Sequence, residues 1–215
     1  MTELAPRLVS CGADSDRTIA LTFDDGPSRT TTPAVLDVLD AHGAVATFFV
    51  IGSWVERLPE IVRDAAARSH MIENHTWTHV DADRTRELET LRDEVARTSD
   101  VIEQVVGRRP RLLRPPYGSD PGRFARVAAQ CGLEATVLWS VQSFDWMDPD
   151  DPGEIVAQVL AEVEPGAIVL LHDGQRETND ASPRAATLAA LPTLLEHLSS
   201  DGYRFATVSD LLAAR

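Results

Sequence analysis

The chain has 215 residues, of which 43% are hydrophobic and 25% are charged, and this composition is typical of a folded globular protein rather than a disordered one. Its formal net charge of −14 weighs against nucleic acid and against an anionic membrane, since both would repel the chain. A neutral or cationic polymer is the more compatible partner, although acidity that only aids solubility explains the charge equally well. One domain with one sizeable core is the simplest organisation for this length.

The cysteines and the first residues bear on the compartment. Cys11 and Cys131 are too few and too far apart for a disulfide framework or a metal knuckle, so we expect two unpaired thiols. The start of the chain lacks a basic stretch followed by an apolar segment, and no run approaches ~18 consecutive apolar residues. We therefore expect either a cytoplasmic protein or a secreted protein whose leader has been removed.

Strand-like apolar runs recur along the chain, and amphipathic helical stretches separate most of them. The runs lie at 17–23, 44–51, 70–74, 111–114, 134–141, 166–172 and 203–208. The helical stretches are Thr32 to His42, Ser53 to Arg68, Arg84 to Val106, Pro121 to Gln130, Pro152 to Glu164 and Ala185 to Ser200. This alternation predicts parallel β/α units with about seven strands, and the continuous apolar runs suit strands buried on both faces, as in a closed parallel barrel.

Two short polar motifs indicate a metal site. His75 and His79 are four residues apart, so their imidazoles can face one point if the segment is helical, and a carboxylate would complete three ligands for a divalent ion. Such a pair more often lies on a solvated helix face, and Asp24-Asp25-Gly26 is usually just a turn. The position of Asp24 and Asp25 after a strand-like run favours the site, because active sites of parallel α/β folds lie at the carboxyl ends of strands.

Five segments then occur in order: Thr22-Phe23-Asp24-Asp25-Gly26-Pro27, His75-x-x-x-His79, Arg114-Pro115-Pro116-Tyr117-Gly118, Asp145-Trp146 and Leu170-Leu171-His172-Asp173. They resemble the five ordered motifs of the polysaccharide deacetylases, the carbohydrate esterases with a NodB-homology domain. The resemblance covers about 17–213, so we expect 1–215 to be one such domain with its core there. It implies an α/β fold, a distorted (β/α) barrel of about seven parallel strands whose incomplete closure leaves a groove for a glycan.

The resemblance also implies roles for the polar residues. Asp25 is the metal ligand with His75 and His79, while Asp24 is the general base that activates the attacking water. His172 is the general acid that protonates the departing amine, although a lone histidine at a strand end is more often structural. Asp145 holds His172 protonated, since a nearby opposite charge favours the imidazolium.

The remaining implied roles concern positioning and the substrate. Arg114 orients Asp24, and the backbone N–H of Tyr117 helps to stabilise the oxyanion. Trp146 is a candidate wall for the acetyl group or a platform for a sugar, with a core position equally compatible, and Leu170 is expected at the substrate with it. Trp54, Trp77 and Trp139 are assigned to packing because each has apolar neighbours at helix or strand spacing. His42, His70 and His197 lie in no motif and are assigned to the surface or the core.

Two positions depart from the pattern of the family. Gln142 stands where an Asp often precedes the Asp-Trp pair by three residues, which removes one charge near the site. Glu73 stands where Gly or Ala often occurs, and it could accept a hydrogen bond from a ligand imidazole or simply be solvated. Neither change removes an implied ligand or catalytic group.

These observations predict a metal-dependent deacetylase that acts on N-acetylglucosamine residues of chitin oligosaccharides or peptidoglycan. The alternatives are an acetyl-xylan esterase that uses the same site and a catalytically silent glycan-binding module. Zn²⁺ is the expected ion because two histidines and an aspartate suit it, while Co²⁺ or Ni²⁺ also fit such ligands. The expected partner is an acetylated glycan, with no nucleic acid and no membrane, and the protein is expected to be a monomer.

Overall fold

The structure, a computed structural model, describes residues 7–12, 16–85, 87–147, 149, 151–175 and 184–213. Nine strands form one sheet, and the strands described here pair in parallel throughout. They are β1 (Leu8–Val9), β2 (Thr18–Asp24), β3 (Ala46–Val50), β4 (Met71–Asn74), β5 (Leu112–Leu113), β6 (Ala135–Val137), β7 (Val141–Gln142), β8 (Ile168–His172) and β9 (Arg204–Phe205).

The sheet curls into a distorted barrel. Its strand order is β1-β6-β5-β4-β3-β2-β8-β7, with β9 beside β2. Strand β7 is at one end of this order, and β6 is the second strand from the other end. Along the chain, however, only three residues lie between β6 and β7: Leu138, Trp139 and Ser140. The chain therefore bridges the two edges itself, since Leu138 N donates to Val9 O at 2.7 Å and Ser140 N donates to Ile168 O at 3.0 Å. The predicted (β/α) barrel is confirmed.

Eight helices surround the barrel in the described part of the chain. Their bounds match the predicted stretches at 121–130 and 185–200 and lie close to them at 32–42 and 152–164. They are α1 (Thr31–Ala41), α2 (Gly52–Arg57), α3 (Pro59–Ala67), α4 (Leu88–Val106), α5 (Pro121–Gln130), α6 (Pro152–Glu162), α7 (Ala185–Ser200) and α8 (Val208–Ala213). None of them is both long enough and apolar enough to cross a bilayer.

Several predicted elements differ from the structure. The prediction of a single helix at 53–68 is wrong, because the helix is interrupted at Leu58 and a second helix begins at Pro59. Proline is tolerated at the first position of a helix, since the N–H that it lacks would have no partner within the helix. The run at 134–141 is two short strands with a bend between them, and β1 was not predicted. Cys11 and Cys131 are both free, as expected.

The two faces of β2 show how the fold positions polar groups. Ile19, Leu21 and Phe23 pack outward in the core shared with the helices, while Ala20 points into the barrel with Phe49. Because side chains alternate along a strand, Thr22 and Asp24 continue the inward face. The barrel interior is thus apolar at its base and polar at the carboxyl ends of the strands.

Candidate active site

The adjacent carboxylates Asp24 and Asp25 lie at the carboxyl end of β2. Asp24 is the last residue of the strand and is in register with His172 on β8. Asp25 follows with a φ of 75°, in the left-handed region that Asp tolerates better than most residues. The two carboxylates therefore reach different partners, as expected.

Asp25, His75 and His79 form a group that could hold a metal ion, with their ligand atoms within 4.8 Å of one another. His79 Nε2 lies 3.1 Å from Asp25 Oδ1, and His75 Nε2 lies 3.5 Å from the same oxygen. These distances bracket the ~3.3 Å between ligand atoms of a tetrahedral ion with bonds of ~2.0 Å. The residues present therefore fit a divalent ion.

The segment 75–79 is not helical, so the geometry assumed for the histidine pair is wrong. Thr76 and His79 have φ values of 66° and 60°, and this loop rather than a helix brings the two rings together. Asn74 fixes the loop, because its Oδ1 accepts from Thr76 N at 2.8 Å while its Nδ2 donates to Ser99 Oγ at 2.9 Å. The imidazole centroids of His75 and His79 lie 4.9 Å apart.

Protonation at this group also suits an ion. His75 Nδ1 lies 2.8 Å from the carbonyl oxygen of Arg114, which can only accept, so Nδ1 carries the proton and Nε2 presents its lone pair to the site. Burial alone would raise the pKa of Asp25, but the adjacent His75 and His79 side chains and the charge of His172 outweigh it and hold that pKa well below its usual range. The carboxylate is thus ionised. His79 Nδ1 lacks a comparable partner among the described residues.

Arg114 is fully buried and holds Asp24. Its Nη1 donates to Asp24 Oδ1 at 2.8 Å and to Thr22 Oγ1 at 2.7 Å, and its guanidinium lies 4.1 Å from the ring centroid of Phe49. The expected contact with Asp24 is present. Because Oδ1 of Asp24 is engaged, Oδ2 is the oxygen left to accept a proton; it lies 3.8 Å from His75 Nε2.

His172 and Asp145 form a buried pair on the other side of the site. His172 Nδ1 lies 2.7 Å from Asp145 Oδ1, and Asp145 also accepts from His172 N, Ser143 Oγ and Thr187 Oγ1. Burial alone would lower the pKa of His172, but the charge of Asp145 and the hydrogen bond to it raise that pKa to about 9. His172 is therefore protonated at neutral pH with Nε2 as its remaining donor.

Gly26 in the first motif is required by a close approach. A Cβ atom at this position would collide with the carboxylate of Asp173, which is fully buried behind the site. Thr32 Oγ1 donates to Asp173 Oδ2 at 2.5 Å, and Asp173 N donates to Asp24 O at 3.1 Å. Asp173, the residue after His172, thus links the start of α1 to the end of β2.

One cavity of about 340 Å³ joins these groups. Every residue that the sequence analysis assigned to the site lines this cavity, with the exception of Arg114 and Asp145. Arg114 lies behind Asp24, and Asp145 lies behind His172. Its lining residues are Asp24, Asp25, His75, His79, Tyr117, Trp139, Gln142, Trp146, Leu170, His172 and Arg184.

Of the aromatic residues at this cavity, only Trp139 has a position that the sequence analysis did not predict. Trp146 is 49% exposed and Tyr117 is 55% exposed, so both rings are accessible at the cavity rather than packed in the core. Trp139 was assigned to packing alone, but it also lines the cavity and lies against Gly118, where a Cβ atom would approach its ring to 3.0 Å. Trp54 and Trp77 are buried, as expected.

Arg184 is a site residue that the sequence did not reveal. It is buried, its Nε donates to Gly174 O at 2.8 Å, and its N–H donates to Thr31 Oγ1 at 3.1 Å. These bonds hold a cation at the wall of the cavity. Arg184 directly precedes α7 and belongs to none of the sequence motifs, so only its charge could have suggested a place in the site.

The two departures from the family pattern have separate outcomes. Gln142 lines the cavity as an uncharged side chain. Neither interpretation of Glu73 holds, because its Oε2 accepts from Arg111 N at 2.7 Å and Leu112 N at 2.6 Å and thereby fixes the start of β5. Burial raises the pKa of Glu73 to about 8. Its role is structural.

The site therefore combines a candidate ion group, an arginine-held carboxylate and a protonated histidine, a set of groups that can catalyse metal-assisted hydrolysis of an acyl bond. The sequence profile of the family described as polysaccharide deacetylase matches residues 12–136. The chain belongs to this family.

Named relatives agree with this assignment. The chain is 44% identical over 193 residues to a chitooligosaccharide deacetylase of Bradyrhizobium sp. (strain ANU 289), with 87% of each chain covered. The structure of the Bc1960 peptidoglycan N-acetylglucosamine deacetylase matches with a TM-score of 0.87 and 29% identity over 97% of this chain and 94% of that one. BA3943 of Bacillus anthracis, a CE4 family pseudoenzyme, matches with a TM-score of 0.85 and 27% identity over 97% and 70% of the respective chains.

Proposed function

We propose that this protein removes N-acetyl groups from N-acetylglucosamine residues of chitin oligosaccharides or peptidoglycan, and that residues 1–215 form one deacetylase domain. The observation that carries this proposal is the pairing of His172 with Asp145 beside the ion group. An amine is a poor leaving group unless it is protonated, and a histidine kept charged by a buried carboxylate supplies that proton. The two relatives named as deacetylases act on such glycans by their names.

The residues divide the reaction as follows. Asp25, His75 and His79 hold a divalent ion, Zn²⁺ by the nature of these donors. When bound, such an ion lowers the pKa of water and polarises a carbonyl oxygen. Asp24 accepts the proton of the attacking water through Oδ2.

The remaining groups position the base, stabilise the oxyanion and protonate the leaving nitrogen of the acetamide. Arg114 holds Asp24 in place through the opposite carboxylate oxygen. The N–H of Tyr117 stabilises the oxyanion, and His172 gives its proton to the departing nitrogen. Acetate and a free amino sugar result.

The cavity wall suits a sugar with a small acyl group. Trp146 and Tyr117 offer exposed rings on which a pyranose can lie, and Leu170 provides an apolar surface for the methyl group. We add Arg184 to these residues as a donor to substrate hydroxyl or carbonyl oxygens. The protein is proposed to act as a monomer, with neither nucleic acid nor a membrane as partner.

Two rivals remain to be tested. An acetyl-xylan esterase would use the same groups on an ester, and a silent glycan-binding module would resemble the pseudoenzyme BA3943. The presence of both carboxylates, both ion-binding histidines and the His172–Asp145 pair argues against silence. Acetate release from chito-oligomers and from acetylated xylan, each with and without added Zn²⁺, separates all three: amide only, ester only, or no release.

The activity is expected to follow a bell-shaped pH profile, because Asp24 must be ionised while His172 must be protonated. The raised pKa of His172 places the basic limb at about 9, and activity falls as pH rises through it. Asp145→Asn removes the charge that opposes burial, so the basic limb should move toward or below the ordinary value of 6.5. Measuring kcat/KM against pH for both proteins checks this; an unmoved limb in a folded variant would refute the pairing.

Arg184→Gln is expected to raise KM about tenfold, which corresponds to the loss of one hydrogen bond from a charged donor. Turnover at saturation should change less, because among the described residues Arg184 forms no hydrogen bond or ion pair with the ion group or with His172. Arg126→Gln, which removes an exposed arginine from α5, serves as a control of equal charge change. Steady-state kinetics on a chito-oligomer give both constants, and a loss confined to kcat would contradict a binding role.

A further inference from the structure

A second cavity lies at the opposite end of the barrel from the active site. His70 precedes β4 whereas His75 follows it, so the strand separates the two sites along its length. This cavity of about 420 Å³ lies between α3 and the end of α4. Arg63, His70 and Arg108 line it together with small apolar residues.

His70 is the buried polar group of this cavity, with 3% of its surface exposed. Its Nδ1 accepts a hydrogen bond from Ala46 N at 3.2 Å, and a backbone N–H can only donate, so the proton of the neutral ring lies on Nε2. Burial lowers the pKa of His70, which keeps the ring neutral. Nε2–H is therefore a fixed donor, and it has no hydrogen-bond partner among the described residues. A buried donor of this kind favours a ligand with an acceptor oxygen.

Two cations flank this donor in a chain whose net charge is −14. Arg63 on α3 is exposed and forms no ion pair with a described carboxylate. Arg108 is 43% exposed, and its nearest carboxylate oxygen is Glu73 Oε1 at 4.0 Å. Both guanidinium groups can therefore turn to an oxyanion at the mouth of the cavity.

The acidic residues near His70 are offset only in part, because the single guanidinium of Arg68 is shared by Asp37, Asp40 and Asp64. Asp40 and Asp64 influence His70 electrostatically, but Arg68 binds both of them, with Nη1 2.8 Å from Asp40 Oδ2 and Nη2 2.9 Å from Asp64 Oδ2. Their repulsion of an anion is thus reduced. The remaining walls, Ala66, Ala67, Val105 and Val106, carry no charge.

We propose that this cavity binds a small oxyanion, a phosphate or carboxylate group, with His70 Nε2–H as its buried donor and Arg63 and Arg108 as its charge partners. The guanidinium groups supply charge-assisted hydrogen bonds, and the neutral imidazole supplies direction. The small apolar walls leave room for the carbon body that carries a carboxylate. This site is independent of the proposed deacetylation.

The test uses the metal-loaded protein and two probes, inorganic phosphate and acetate, with the side-chain ¹⁵N–¹H signal of His70 followed by NMR. At least one probe should move this signal saturably, with a Kd of about 1 mM as suits a small anion on a partly solvated site. If phosphate moves it and acetate does not, the site takes free or esterified phosphate; the reverse result assigns it to carboxylates. If neither probe moves it, the proposal is wrong.

Variants separate this site from the active site. The double variant Arg63→Gln/Arg108→Gln should bind at least tenfold more weakly the probe that moves the His70 signal. The control variant Arg126→Gln/Arg97→Gln, which removes two exposed arginines elsewhere, should bind that probe as the unsubstituted protein does. His70→Phe keeps a ring against Phe48 and should also lose binding. Equal affinity in the Arg63/Arg108 variant, or a response that disappears in Asp25→Ala, would overturn the proposal.

Discussion

Asp25→Ala is expected to lose bound metal and activity together, whereas Asp24→Asn keeps the metal and loses turnover by about 10²–10⁴-fold. The structure gives the reason, because Asp25 Oδ1 faces His75 and His79 while Asp24 Oδ1 is bound by Arg114. An asparagine at position 24 preserves the shape of the side chain but removes the base. Metal content by elemental analysis and kcat on a chito-oligomer measure the two effects separately.

Stability needs its own control in this comparison. Arg114 is fully buried, so Asp24→Asn leaves a charge without its counter-ion, which typically costs ~3–5 kcal/mol. Thr22→Val removes the other acceptor of Arg114 Nη1 and disturbs the same guanidinium while keeping the carboxylate. It should lower the Tm but leave far more turnover than Asp24→Asn. Equal metal loss at positions 24 and 25 would contradict the division of roles.

The sequence predicted where the candidate site lies because the residues assigned to it follow predicted strands. Asp24 and Asp25 directly follow a strand-like run, and active sites of parallel α/β folds lie at the carboxyl ends of strands, so both could be placed at the barrel mouth before the structure was known. Parallel pairing then brings the end of β8 beside them, and Asp24 and His172 are indeed in register. A local pattern sufficed because neighbouring parallel strands share one direction.

The parts that the sequence did not reveal depend on contacts distant along the chain. The bend at 138–140 exists because two sheet edges meet there, and Trp139 reaches the cavity through that bend. Arg184 is placed by the carbonyl of Gly174 and the hydroxyl of Thr31. The loop at 75–79 depends on Asn74 and its contacts with α4, so a helical interpretation of the histidine spacing was wrong although the convergence of the rings was correct.

His172→Ala is expected to lower acetamide hydrolysis by about 10²–10⁴-fold and hydrolysis of an activated acetate ester by less than about tenfold. An amine must be protonated as it leaves, whereas an activated alkoxide leaves with little acid assistance, and His172 is the group that Asp145 keeps charged. Asp25→Ala should depress both reactions, since both require the same ion. Rates for a chito-oligomer and an aryl acetate, measured on both variants, give the ratio directly. A uniform loss for His172→Ala would mean that this histidine is structural or that the natural substrate is an ester, because only acid assistance to a poor leaving group separates the two substrates.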